Sequence, residues 1–182
     1  MRRFFWISSV VLFLVGAIAG SVLYTWIWSS NVPISYGENI ITITSGSSFE
    51  DVCNLLNEKG AIKNETSFRW VSNLMEYTRD SVPAGKFRVS SGWSNRVLIS
   101  NLRSGTQQPI ELTFNQARTL EELAGQISKY IEPDSLHILE LFNDTSFVHQ
   151  LGYTRENFIS LFIPNTYEFY WDTNPKQLIS RM

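Results

Sequence analysis

An apolar N-terminal helix followed by an α+β body is the architecture this sequence predicts. Three observations carry that reading. Residues 4–28 contain no charged side chain, and the remaining chain alternates short strand-like runs of period two with capped runs of period 3.6. One cysteine among 182 residues leaves apolar burial, not disulfide stapling, as the source of stability. The 15 Lys and Arg against 17 Asp and Glu give a formal net charge of −2, with no basic stripe of the kind that holds nucleic acid. Cys53 and two histidines are too few for the usual structural zinc site, so thiol or metal chemistry is not expected, and no cofactor is assigned.

As a helix rising ~1.5 Å per residue, residues 4–28 exceed the ~30 Å hydrocarbon core of a bilayer. A cleaved signal peptide has an apolar region of only ~7–15 residues before a small-x-small site. Ala17-Ile18-Ala19 is such a site, yet the apolar run continues through Trp28, which favours an uncleaved anchor. Arg2 and Arg3 precede the span and no Lys or Arg lies just beyond it, so residues 1–3 form a cytoplasmic tail and the rest is extracytoplasmic. Trp26 and Trp28 suit the outer aromatic belt. Without Arg2 and Arg3, 13 bases face 17 acids in the exported part, a net charge of −4.

Residues 29–37, with Pro33 and Gly37, read as a linker. Residues 40–44 alternate Ile and Thr as a strand with one buried face does. Ser47 with Glu50 spells a capping box for a helix carrying Phe49, Val52, Cys53 and Leu56, closed by Gly60. Cys53 therefore reads as a core residue, with no histidine near it in sequence. Asn64 caps a second helix, with Phe68, Val71 and Met75, running to about Tyr77. Residues 83–89 turn into a short strand, and Ser94 caps a third helix with Val97, Leu98 and Leu102 that Gly105 closes. Residues 110–114 alternate again, and Thr119 with Glu122 opens a helix on Leu120, Leu123, Ala124, Ile127 and Ile131, ended by Pro133. The two strand–loop–capped-helix copies predict helices on one face of a small sheet.

At the far end, Asn174-Pro175 starts a helix with Leu178 and Ile179, and the sequence stops at Met182 without a stop signal. So short a helix must pack on something. Truncation of a longer protein is expected rather than a natural end. If its partners are missing, Leu178 and Ile179 form an exposed apolar patch.

No catalytic triad, phosphate loop or metal cluster is spelled out. Glu111, Glu121, Glu122, Glu140 and Glu168 are acids available in principle, but Glu122 reads as a cap partner and the others as solvated residues. His137 and His149 read as ordinary surface positions. Asn64-Glu65-Thr66 and Asn143-Asp144-Thr145 match the glycosylation acceptor, which matters only in a eukaryotic glycoprotein. The aromatic run over residues 161–171 suits either sugar rings or a half-buried strand, and core packing is the favoured reading.

One segment within that run is more specific. Phe162-Ile163-Pro164-Asn165-Thr166-Tyr167, a dozen residues before Arg181-Met182, resembles the Phe-Pro-Asp-Thr-Tyr signature of the YceG-like endolytic murein transglycosylases. Upstream, Gly46-Ser47-Ser48, Pro83-Ala84-Gly85-Lys86-Phe87 and Asn101-Leu102-Arg103-Ser104-Gly105 stand in the family's order, as does the N-terminal anchor. Two departures stand out: Phe114-Asn115-Gln116 where many members have Pro-Glu-Gly, and Asn165 with an inserted Ile163 in the signature.

The resemblance implies a single-pass protein of the bacterial inner membrane that cleaves glycan strands of peptidoglycan internally, leaving 1,6-anhydromuramic ends. It divides the exported part into a LysM-like module, residues 38–114, and the start of a truncated catalytic domain, residues 115–182. Its implied partners are peptidoglycan glycan strands, the lipid bilayer through residues 4–28, and peptidoglycan synthases or division proteins; nucleic acid is not among them. The essential glutamate of the family sits in an Ala-Ser-Ile-x-Glu-type helix after the signature, so it is expected C-terminal to Met182, and no catalytic residue is assigned within the chain. A non-catalytic, membrane-anchored cell-wall binding or division-partner module is the alternative.

Overall fold

The uncharged N-terminal run forms one helix, α1 (Arg2–Trp28). Its stretch Val10–Trp28 has a mean hydropathy of 2.2 with none of it buried in the protein, so it is long and apolar enough to cross a membrane. The structure is a computed structural model and describes residues 2–78, 81–113 and 117–182. Phe114, Asn115 and Gln116 lie outside the described residues, and with them the predicted end of the third strand run and the departure from Pro-Glu-Gly. The body is mixed α+β and divides into two compact units: residues 1–41, 46–83 and 88–106, and residues 42–45, 84–87 and 107–182.

Strands β1 (Glu38–Ile43) and β2 (Gly85–Ser90) make a two-stranded sheet, each strand having residues assigned to both units. Helices α2 (Phe49–Glu58), α3 (Glu65–Leu74) and α4 (Asn95–Ser104) supply most of the first unit's core. Val52, Cys53, Leu56, Phe68, Val71, Leu98, Ile99 and Leu102 are all buried. Leu98 and Leu102 are buried as predicted, but Ile99 and not Val97 completes their stripe, Val97 being 46% exposed. The first capping box is likewise shifted by one residue: Ser48, not Ser47, accepts from Asp51 N–H, and the Asp51 carboxylate accepts from Ser48 N–H at 2.8 Å. Asn64 and Ser94 cap α3 and α4 as predicted, and Gly105 closes α4 in the left-handed conformation. α3 stops at Leu74, short of Tyr77, and Glu76 adopts a φ of 57° in the turn that delivers Tyr77 to the core.

The predicted linker is not a free tether. Val32 is fully buried, the N–H groups of Asn31 and Val32 both donate to Trp93 O at 2.9 and 3.0 Å, and Ser30 bridges Ser94. The Asn31 side chain explains why a Pro- and Gly-containing segment is held. Its amide donates to Asn95 Oδ1 at 2.7 Å and Asn64 O at 3.0 Å, and its oxygen accepts from Asn64 N–H at 2.8 Å.

In the second unit, β3 (Ile110–Thr113) pairs antiparallel with β4 (Thr166–Phe169), Ile110 opposite Phe169 and Thr113 opposite Thr166. The two echoing strands β1 and β3 therefore sit in separate two-stranded sheets, each beside its own partner, and not in one small sheet under helices. Helix α5 (Leu120–Ile127) buries the predicted Leu120, Leu123, Ala124 and Ile127, but ends well before Pro133. A turn bonded to Ile127 O carries Ile131 into the core instead. α6 (Ser135–Asn143) and α7 (Thr145–Gln150) follow, capped by Asp134 and Asp144. α8 (Pro175–Ser180) has an Asn174/Gln177 capping box with Pro175 in its first turn. The aromatic run is core at Phe162 and Phe169, as favoured, and Phe142, Phe158 and Phe162 meet at centroid distances of 5.3–5.7 Å. Leu178 and Ile179 are 1% and 3% exposed: they join this core, and the apolar patch foreseen at the end of the sequence does not form.

Candidate functional site

The acids singled out from sequence share one property. Glu111, Glu121, Glu122, Glu140 and Glu168 are all exposed. A general acid working near neutral pH needs the opposite, a site dry enough to keep the carboxyl protonated. Glu122 is a cap partner as predicted, though its carboxylate accepts from Arg118 N–H at 2.9 Å while Thr119 Oγ1 accepts from Glu122 N–H at 3.1 Å. Glu111 and Glu168 stand directly opposite each other across β3 and β4. His137 and His149 are exposed on α6 and α7. Cys53 is fully buried, and burial pushes its thiol up to about 11, so it is packing rather than a nucleophile.

What the second unit does gather is a groove of about 340 Å³ beside the end of β4, lined by Gln107, Tyr170, Asp172, Thr173, Gln177 and Arg181. Its walls follow from local hydrogen bonding. Phe169 ends β4 with its ring in the core, and the chain turns at once, Thr173 N–H donating to Tyr170 O at 3.1 Å and Tyr170 N–H to Thr173 Oγ1 at 3.2 Å. That turn leaves Tyr170 half exposed and delivers Asn174 as the cap of α8. One and a half turns later, Arg181 returns over the Phe169 ring, 5.4 Å from its centroid. On the other wall the Gln107 side chain lies over Gly85, where an added Cβ would fall 2.0 Å from Gln107 Cδ and displace the amide, and where a φ of +132° favours glycine. Gln107 Oε1 is buried with no hydrogen-bond partner among the described residues. A guanidinium, a carboxylate, an amide and an aromatic ring around one open groove suit a polar ligand with a ring face, such as a saccharide.

Sequence reasoning placed Phe169 and Tyr170 in an aromatic run and missed Gln107, Asp172 and Arg181 as groove residues. The available signal was the capped turn after the aromatic strand, which puts the polar residues following it back beside that strand. Among the described residues no group of three or more His, Cys, Asp or Glu is placed to hold a metal.

The family relation runs through both units, from within β1 onward. Residues 41–182 match the YceG-like family, and the chain belongs to that family. It is similar to the crystal structure of a yceG-like protein from Listeria monocytogenes, at 22% sequence identity and a TM-score of 0.43, over 80% of this chain and 52% of that one. The chain thus spans about half the length of that solved protein. No curated protein matches it.

Proposed function

We propose that this chain is the membrane-proximal part of an endolytic peptidoglycan transglycosylase: a single-pass anchor, a LysM-like module over residues 38–114, and the opening of the catalytic domain from residue 115. The observation that carries the proposal is the family match across residues 41–182, which includes the signature-like Phe162-Ile163-Pro164-Asn165-Thr166-Tyr167. In this reading α1 crosses the bacterial inner membrane with Arg2 and Arg3 in the cytoplasm, and both units face the cell wall.

The chemistry asks for one carboxylic acid. Held protonated, it donates to the departing glycosidic oxygen. It then accepts the proton of the muramic 6-hydroxyl as that oxygen closes on the anomeric carbon. The nucleophile belongs to the substrate, so the second carboxylate of an ordinary glycosidase is not needed and the product ends in an anhydro sugar. No Ala-Ser-Ile-x-Glu-type segment occurs in residues 1–182, and the candidate acids there are solvated. The proposal therefore places the acid beyond Met182 and gives these residues the work of anchoring and holding glycan, the groove beside β4 being the surface suited to the second task.

The test is to read the coding sequence past Met182 and incubate its full product, and residues 1–182 alone, with purified sacculi. The expected result is 1,6-anhydromuramic ends from the longer protein and none from the shorter. An in-frame stop after Met182 together with sacculus binding and no anhydro product would establish the non-catalytic module instead.

A further inference from the structure

The outer end of α1 is built into the first unit. Trp26 O accepts from the Asn95 side-chain amide at 2.9 Å, and Asn95 also donates to Ser67 Oγ at 3.0 Å and accepts from Asn31 at 2.7 Å. Asn95, Ser67 and Asn31 are 1%, 4% and 6% exposed, so these bonds are shielded from water. The Trp26 ring stands edge-on to Trp70 at 5.8 Å, and the Arg96 guanidinium lies 4.4 Å over Trp28. Lys63 Nζ is 3.5 Å from Ser30 O, on the rim of a cavity of about 210 Å³ that opens beside the helix end.

Distance along α1 sets the level of these groups. Val22, Leu23 and Tyr24 are exposed apolar or aromatic positions of the span, and Trp28 follows Tyr24 by four residues, about 6 Å at ~1.5 Å per residue. The headgroup layer on each side of a bilayer is roughly 5–8 Å deep, half the difference between the full thickness and the hydrocarbon core. Side chains touching Trp26 and Trp28 therefore stand at headgroup depth, and those side chains are Trp70, 37% exposed, and Arg96, exposed. Indole rings and long cationic chains are the groups that this layer accepts, apolar body toward the acyl chains and polar end toward phosphate.

We propose that this face of the first unit, Trp28, Trp70, Arg96 and Lys63 around the exit of α1, is a bilayer-docking surface whose cations contact the headgroups of anionic phospholipid. The inference rests on the reading of α1 as a membrane anchor and adds that the first unit lies against the outer leaflet, held at a fixed tilt by the Asn95 junction. The net charge of −4 over the exported part is no obstacle, because headgroups within about a Debye length, ~8 Å, meet the local cations and not the molecular average.

The experiment uses the full 182-residue chain in phosphatidylcholine vesicles, with and without phosphatidylglycerol, doped with a lipid carrying a photoactivatable headgroup. Adducts are mapped by mass spectrometry. Docking predicts adducts in peptides spanning residues 63–70 and 93–97 as well as on α1, at least threefold more abundant with phosphatidylglycerol. In the Lys63→Glu, Arg96→Glu double variant the body adducts should fall at least threefold while those on α1 persist. Adducts confined to α1, or body adducts indifferent to both lipid charge and the double substitution, would overturn docking and leave the anchor standing. Absence of adducts from α1 would refute the anchor itself, and docking with it.

Discussion

The two units reach stability by different routes. In the first, distant segments are cross-linked by buried amides: Asn31 joins Asn64 and Asn95, and Asn95 joins Trp26 and Ser67. In the second, short helices and a two-stranded antiparallel sheet close around clustered rings, Phe142, Phe158 and Phe162. Buried amides fix which segment meets which, because any other pairing strands a polar group. Ring packing tolerates imprecise helix ends but is sensitive to lost volume. The unit joined to α1 thus adds polar geometry to an apolar core, and the unit bearing the open groove relies on apolar bulk.

The largest effect that would break this contrast is expected in the ring cluster. Phe142 is fully buried, and Phe142→Ala should cost about 3–5 kcal/mol through lost transfer energy plus the cavity left behind. Thermal or urea unfolding followed by near-ultraviolet circular dichroism measures it. A loss under about 1 kcal/mol, within the range of a tolerated repacking, would mean the rings are not the second unit's keystone.

Asn95→Ala sharpens the other side. It removes one of the two acceptors of the Asn31 amide, whose bond to Asn64 O remains, and the Asn95 donor to Trp26 O, for an expected cost of about 1–3 kcal/mol. Its particular signature is faster hydrogen exchange at the Asn31, Val32 and Lys63 amides, whose backbone bonds the clasp positions. Exchange unchanged at those three amides would show that the backbone bonds hold the segment without the side chains.

Capping is the next smaller term and separates what sequence can and cannot place. Asp134→Ala and Ser94→Ala should each cost about 1 kcal/mol, readable as a shift in unfolding midpoint. Ser94, Asn64, Asn174 and Gly105 were legible because each stands alone before or after a clear apolar stripe. Ser47 and Ser48 were not separable, since both precede an acid three residues on and only the backbone decides between them. α6 and α7 went unread although Asp134 and Asp144 are good caps, because their stripes are short and broken by polar residues. How the linker is held is hidden for a related reason: composition reports Pro33 and Gly37, while the partners of Asn31 lie 33 and 64 residues away. Gln107 is not legible as a groove residue because it joins the residues after β4 through the pairing of β3 with β4, two segments far apart in sequence.

The smallest effect is electrostatic and concerns the Arg69 ion pairs of the first unit. Arg69 donates to both Glu50 and Glu65, and these hydrogen bonds hold both carboxyls below the usual carboxylate range. Asp51 is lowered too, through the Ser48 backbone and then its hydroxyl. A carboxyl with a depressed folded pKa contributes stability that is present above its unfolded value and lost as pH falls through the folded one. The first unit should therefore weaken on acidification from about pH 5 downward, the region just above ordinary carboxylate pKa values. Because these groups are exposed, the gain is screened and small. Arg69→Met tests the assignment: unfolding midpoints at pH 7 and pH 3 should lie closer together in the variant than in the parent. The same gap in both proteins would mean that acid sensitivity comes from elsewhere and that surface charge contributes nothing measurable to the polar side of the contrast.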